Sequence, residues 1–248
     1  MSEHSIPVAL TIGGSDSCSG AGIQADLQTF SAFGIKGCSA ITALTAQNPE
    51  KITRVEPVSL LQLEAEIRTV FDYYNVQAVK TGMLYDAERI QLIAALLKEL
   101  HTEKPLIVDP VMVSSSGKRL LDESALSVLK QDLIPMASLL TPNIPEACIL
   151  MGGEDEHDLS TRLSELFALP VLLKGGHMGA DTLIDTLSID GEKIVFPHKR
   201  QQWNQELAHG TGCRLASAIA AGVVLEDSLS VAVSKAITWL QTQKQTSY

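Results

Sequence analysis

Apolar runs and helical stripes alternate along this chain from one end to the other. Residues 8–12 form a short apolar run stopped by Gly13 and Gly14, the pattern of a buried strand ending in a turn. Ile23, Leu27, Phe30 and Phe33 then recur at helical spacing until Gly34, so the first unit reads strand, glycine-rich loop, helix. Residues 37–44 read as a second strand, followed by TAQNP, where Pro49 bars continuation of the ladder and leaves Gln47 at a strand end. Leu60, Leu63, Ile67, Val70 and Phe71 mark an amphipathic helix over 59–74, and 78–83 is the strand after it. A helix follows over 86–100. The run LIVDPVMV at 106–113 has the nearly continuous apolar character of a buried parallel strand.

The alternation continues with a helix at 123–133, a strand at 138–141, and a helix opened by PNIPEA, with proline near its start. A helix at 159–167 and a strand at 170–174 come next, and 181–197 reads as a hairpin turned at Asp190 and Gly191. Helices at 212–224 and 228–243 complete the chain. Such repeated units imply an α/β protein with a mainly parallel sheet covered on both faces and a late antiparallel hairpin. Ligands of such sheets bind outside the carboxyl ends of the strands. No linker, internal repeat or low-complexity tract appears, so 1–248 is expected to be a single domain.

Charge and composition narrow the class of ligand. The net charge is −10, and no basic stretch exceeds the cluster His198, Lys199, Arg200, which argues against nucleic acid and favours small molecules. Neither a basic leader nor an apolar run of membrane-spanning length is seen, so a cytoplasmic protein without a membrane partner is expected. The cysteines at 18, 38, 148 and 213 show no C-x-x-C pair and no disulfide-scaffold density, so free thiols are expected rather than zinc ligands or disulfides.

Chemistry-bearing residues fall at the expected strand ends. In HGTGCR, 209–214, two glycines separated by one residue precede an alanine-rich helix, so Gly210, Thr211, Gly212 and Cys213 place converging N–H groups at an anion site. The helix dipole is expected to draw the Cys213 thiol below its free pKa of about 8.5, making a thiolate able to take a proton from an alcohol. A plain helix start with a buried cysteine is the alternative. Asp109 ends a strand where a carboxylate needs a metal or a cation, and Asn143 with Glu146 puts a second carboxylate on the next unit, able to hold magnesium through water. The competing readings make Asp109 a cap of the following loop and Glu146 only a helix-start residue. Lys174 could meet phosphate oxygens or simply snorkel at a sheet edge. Gln47 offers donor and acceptor together to a polar heterocycle, or satisfies backbone groups. Met83 reads as core or as a pocket wall, and His209 as an acid or base ranked below Cys213. His4 and His177 are given no role. Neither the G-x-G-x-x-G nor the GxxxxGK[ST] spacing occurs.

Taken together, TIGGSDSCSGAGIQADLQTFSAFG, ITALTAQN, VKTGML, IVDPVMV with SSSG, LLTPNIPEA, VLLKGGH and HGTGC resemble, in order and spacing, the hydroxymethylpyrimidine and phosphomethylpyrimidine kinases of thiamine biosynthesis, in the ribokinase-like superfamily. The resemblance implies a three-layer α/β/α fold, ATP and magnesium as cofactors, and a homodimer. It also implies phosphorylation of 4-amino-5-hydroxymethyl-2-methylpyrimidine and then of its monophosphate. By the same resemblance Gln47 and Asp26 line the pyrimidine site, with Gly14, Ala21 and Met83 as walls. Asp109 and Glu146 serve magnesium and phosphate, Lys174 approaches the nucleotide, and 210–213 form the anion hole, with Cys213 where many sugar-kinase relatives carry an aspartate. Arg214, Cys18, Ser19, Ser115 and Lys118 depart from the family pattern, and Arg214 could either hold a phosphate or crowd the helix start. A pyridoxal kinase of the same superfamily and a catalytically weak pyrimidine-binding protein are the alternative functions.

Overall fold

Neighbouring residues on the inner strands divide between two hydrophobic cores, and that two-residue period organises the molecule. Leu10, Val79, Val108, Leu140 and Val171 enter one core, while Ala9, Ala78, Ile107, Leu139 and Leu172 enter the other. Strands buried on both faces in this way require a helical layer on each side. The computed structural model describes residues 6–101, 103–113, 121–153, 157–175, 182–200 and 209–243.

The strands are β1 (Val8–Asp16), β2 (Lys36–Gln47), β3 (Ile52–Pro57), β4 (Val76–Thr81), β5 (Leu106–Val108), β6 (Leu139–Leu140), β7 (Val171–Leu173), β8 (Thr182–Ile189) and β9 (Glu192–Lys199). They form one sheet in the order β3-β2-β1-β4-β5-β6-β7-β8-β9. Pairing is parallel from β2 through β7 and antiparallel at both edges. The helices are α1 (Gly22–Ala32), α2 (Leu60–Tyr73), α3 (Ala87–Leu100), α4 (Glu123–Val128), α5 (Ile144–Met151), α6 (Leu159–Phe167), α7 (Thr211–Val224) and α8 (Leu229–Thr242). Residues of α2 to α6 build the first core, and those of α1, α7 and α8 the second. Alanines on β1, β4 and α7 keep that second layer close to the sheet. The three-layer α/β/α fold with its mainly parallel sheet and late hairpin is the one implied by the sequence.

Local chemistry explains where the elements stop. Ser59, Asp86 and Asp122 each accept from a first-turn amide at the starts of α2, α3 and α4. Asp190 and Gly191 have φ of 51° and 77°, the left-handed pair of a tight hairpin between β8 and β9. Three strand expectations need correction, the first being β1, which does not stop at Gly13 and Gly14 but runs through them, paired with β2, to Asp16. After Gln47 the chain turns through Asn48, whose side chain accepts from the Glu50 and Lys51 amides at 3.0 Å, and residues 52–57 return antiparallel to β2. Pro49 sits in that turn, where a missing N–H interrupts no ladder. Strand β5 stops at Val108 rather than running to 113, because the Asp109 amide makes its last sheet bond, to Thr81 O at 3.0 Å, and Pro110 follows.

Candidate active site

Loops at the carboxyl ends of β1, β2, β4, β5 and β7 meet the start of α7 around a cavity of about 700 Å³. Every candidate residue named from the sequence, from Gly14 to Cys213, borders this one cavity. Ser115, Lys118, His4 and His177 lie outside the described residues.

At one end the loop after β1 is wrapped around a buried carboxylate. Asp16 accepts from the amides of Cys18 at 2.9 Å and Ala21 at 2.8 Å, from the Cys18 thiol at 3.1 Å, and from His209 Nε2 at 3.0 Å. Burial opposes its charge, but these donors win and hold its pKa below the usual carboxylate range. Ser17 clamps the end of β2, donating to Gln47 O at 2.8 Å and accepting from Gln47 N at 2.9 Å. The Gln47 side-chain nitrogen stands 3.5 Å from His209 Nε2. Across from it, Met83 Cε would lie 3.3 Å from a β-carbon added at Gly14, so a larger residue there would press on the cavity wall.

Helix α7 begins against this same loop. Gly210 has φ of 83°, and a β-carbon there would stand 2.0 Å from Gly20 O, so both its conformation and its packing demand glycine. Arg214, on the first turn, faces the β1 loop. Its guanidinium donates to the Gly20 carbonyl and, at 3.3 Å, to Gln28 on α1, so it ties the β1 loop to the helix start.

Beneath the first turn of α7 lies an ion pair that sequence reasoning missed. Lys80 Nζ reaches both oxygens of Asp26, at 3.0 and 2.9 Å, and Thr11 and Ser217 donate to the same carboxylate at 2.6 and 2.7 Å. Asp26 thus borders the cavity with both oxygens already engaged. Burial works against the Lys80 ammonium, yet Asp26, Cys213 and Asp109 hold its pKa above the ordinary lysine value. Cys213 is half-buried beside this cluster. Its thiol is not softened as the helix start suggested: burial pushes it up to about 11, Asp26 and Asp109 add to the rise, and Lys80 offsets only part. The attraction of one helix terminus is smaller than the loss of water combined with two nearby carboxylates.

Next to the thiol, Lys174 Nζ donates to Asp109 Oδ1 at 2.9 Å. A β-carbon on Gly212 would stand 3.2 Å from that ammonium and 4.0 Å from Asp109 Oδ2, so the cation faces the first turn of α7. Burial opposes the Lys174 charge, and Asp109 and Glu146 raise its pKa regardless. Asn143 and Glu146 form a reciprocal cap on α5, with Asn143 Oδ1 accepting from Glu146 N at 2.9 Å and Glu146 Oε2 from Asn143 N at 3.0 Å. Glu146 Oε1 accepts from Met112 N at 3.1 Å, beyond Val111, whose left-handed φ of 41° is rare for a β-branched residue. Burial, then Asp109, push the Glu146 pKa up while Lys174 restrains it.

The far end of the cavity holds a second group absent from the sequence reading. Asp185 accepts from Gly175 N at 2.8 Å and contacts His198 Nε2 at 3.1 Å, and His198 Nδ1 lies 3.1 Å from the Gln241 side-chain nitrogen. The bond to Asp185 raises the His198 pKa. No local signal joins residues on β8, β9 and α8 before the hairpin is folded.

A helix start turned at Gly210, a lysine facing it and carboxylates alongside, at the carboxyl ends of a mainly parallel sheet, fit an enzyme that handles an anionic group in a small-molecule cavity. Residues 16–248 match the family described as phosphomethylpyrimidine kinase, and the chain belongs to that family. It is 43% identical over 240 residues to the hydroxymethylpyrimidine/phosphomethylpyrimidine kinase of Rhizobium meliloti, covering 94% of this chain and 88% of that one. The corresponding Bacillus subtilis protein is 39% identical over 245 residues, with 96% and 89% covered. Among solved structures, the phosphomethylpyrimidine kinase of Clostridium difficile 630 superposes with a TM-score of 0.82 at 38% identity, covering 96% of this chain and 98% of that one. A pyridoxal kinase from Staphylococcus aureus in complex with pyridoxal gives a TM-score of 0.87 at 28% identity, with 98% and 90% covered.

Proposed function

We propose that this chain transfers the terminal phosphoryl group of ATP to the hydroxymethyl oxygen of 4-amino-5-hydroxymethyl-2-methylpyrimidine, and then phosphorylates the monophosphate to the diphosphate used in thiamine biosynthesis. The observation that carries the reading is a single cavity running from Gln47 to the Gly210–Cys213 turn and on to Lys174. The named activity of the relatives supports it.

Gln47 offers donor and acceptor to the edge of the pyrimidine, with Gly14, Ala21 and Met83 against its faces. Gly210, Thr211, Gly212 and Cys213 present first-turn amides to the transferring phosphoryl group, where aligned dipoles need no rearrangement. Lys174 supplies a positive charge to the same oxygens, steadied by Asp109. Donor chemistry fits magnesium unequally at the two carboxylates. Asp109 keeps Oδ2 toward the anion turn, while both Glu146 oxygens accept backbone amides, so Asp109 would hold the ion and Glu146 would act through its water. Magnesium, when bound, neutralises charge on the phosphate oxygens. A thiol raised to about 11 is neutral at pH 7 and is no general base in this form. Cys213 instead positions the hydroxyl. A loose phosphoryl transition state asks little of a base, and the alcohol proton leaves late, to a phosphoryl oxygen.

A cytoplasmic homodimer working as one domain, with no nucleic-acid or membrane partner, completes the proposal. Among the described residues no helix is long and apolar enough to cross a membrane. The likeness to the Staphylococcus aureus pyridoxal kinase favours a second reading, pyridoxal phosphorylation. Mass analysis of products formed from both rings with ATP and magnesium separates them. Pyrimidine mono- and diphosphate are expected. Pyridoxal phosphate alone would establish the second reading, and tight pyrimidine binding without turnover would leave a binding protein.

A further inference from the structure

Asp16, Cys18 and His209 bring a carboxylate oxygen, a sulfur and an imidazole nitrogen within 4.8 Å of one another. Asp16 ends β1, Cys18 lies in the loop after it and His209 precedes α7, so only the fold assembles them; Asp16 and His209 are 193 positions apart. Both contacts in the cluster run through a proton. The Cys18 thiol stands 3.1 Å from Asp16 Oδ1, and His209 Nε2 stands 3.0 Å from Asp16 Oδ2. A tetrahedral zinc ion, with bonds of about 2.0–2.3 Å, sets its donors roughly 3.3–3.7 Å apart, so the two contacts to Asp16 would lengthen by a few tenths of an ångström while Cys18 and His209, within 4.8 Å here, would settle to the same spacing. The Cys18 and Ala21 amides already orient the Asp16 carboxylate, as outer-shell donors do around bound metals. Cys18 is exposed, which leaves an entry path. The Gln47 amide lies 3.5 Å from His209 Nε2, and turned about its last torsion it offers an oxygen for the fourth position, which water could otherwise fill.

We propose that Asp16, Cys18 and His209 form a binding site for a borderline-soft divalent ion, Zn²⁺, at the pyrimidine end of the cavity, and that bound zinc excludes the pyrimidine. Sulfur, nitrogen and oxygen donors select zinc over magnesium, which keeps this site distinct from Asp109. On binding, the thiol proton goes to solvent and the imidazole coordinates as the neutral ring with its proton on Nδ1; no electron is transferred. Asp16, Gln47 and His209 all border the cavity, so ion and heterocycle contend for one volume. The exclusion rests on the proposed function, whereas the metal site does not.

Cobalt substitution in the full-length protein tests the two parts separately. With excess magnesium present, one equivalent of Co²⁺ should give a thiolate-to-cobalt charge-transfer band that zinc abolishes. The band should vanish in Cys18→Ser and Cys18→Ala and persist in Cys213→Ala. No band in the unaltered protein, or an equal band in both Cys18 variants, overturns the site even if the protein proves inactive as a kinase. Serine keeps a donor toward Asp16, so Cys18→Ser should turn over normally and resist zinc at least tenfold better. In the unaltered protein, the zinc concentration needed for half-inhibition should climb with pyrimidine concentration. Inhibition independent of pyrimidine would overturn the exclusion.

Discussion

Substituting Asp26 by asparagine tests whether the buried cluster under α7 is held by charge or only by shape. Lys80 is 0% exposed and Asp26 1%, so the variant leaves an ammonium in the interior without its hydrogen-bonded carboxylate, opposed only by Asp109 beyond ion-pair distance. Breaking a buried pair from one side costs about 3–5 kcal/mol, because the surviving charge keeps its desolvation penalty. Asparagine is nearly isosteric, and the Thr11 and Ser217 hydroxyls can rotate to suit it, so packing contributes little and the lower half of that range is expected. The sign with pH follows from Lys80. Without its carboxylate, its folded pKa falls below the unfolded value of about 10.4. The penalty is then full below the folded pKa, shrinks as pH rises through it, and is gone above the unfolded value. Urea unfolding followed by circular dichroism at pH 7 and pH 9.5 should therefore show a deficit that narrows at the higher pH. Lys80→Met should also destabilise, and the double variant should be more stable than the sum of the two losses predicts. Additivity within about 0.5 kcal/mol would refute a coupled pair. Glu56→Gln, at an exposed pair with Arg54, is the control and should leave the midpoint unchanged.

In a background lacking the other three cysteines, iodoacetamide should label Cys213 negligibly at pH 7, with the rate climbing toward pH 11; fast neutral labelling would restore the softened thiolate. Gly210→Ala should cost at least about 1–2 kcal/mol for its left-handed backbone alone, and more as the chain backs away from Gly20 O, with kcat falling further than stability accounts for. Arg214→Ala should cost about 1 kcal/mol and raise KM for the pyrimidine, leaving KM for ATP unchanged; a selective loss of ATP affinity would give the guanidinium to phosphate after all. Asp185→Asn should remove stability that is fully present below pH 6.5 and fades as pH rises through the raised His198 pKa, so melting curves of variant and parent should converge on the alkaline side.

What could be read from the sequence depends on how far each physical cause reaches along the chain. The apolar runs before Gly13, Asp109 and Lys174 mark strands because burial on both faces is written into consecutive residues, and parallel topology then brings their ends together. This is why residues scattered from Gly14 to Cys213 border one cavity. Strand β3 escaped because ITRVEP, at an edge, has no buried residue and no clean alternation. Lys80 left a usable signal: a lysine between Val79 and Thr81 in a buried strand requires an anionic partner. Asp26, on the apolar stripe between Ile23 and Phe30, carries the matching need. Two such demands imply each other, although no spacing rule says which pairs with which. The error over Cys213 has the same origin. Its helix start is local and was visible, whereas the desolvation and the carboxylates of Asp26 and Asp109 come from other elements and outweigh it. The absence of C-x-x-C likewise excludes only ligand sets laid out along the chain. Asp16, Cys18 and His209 are a set laid out by the sheet, and to such sets the spacing of cysteines is blind.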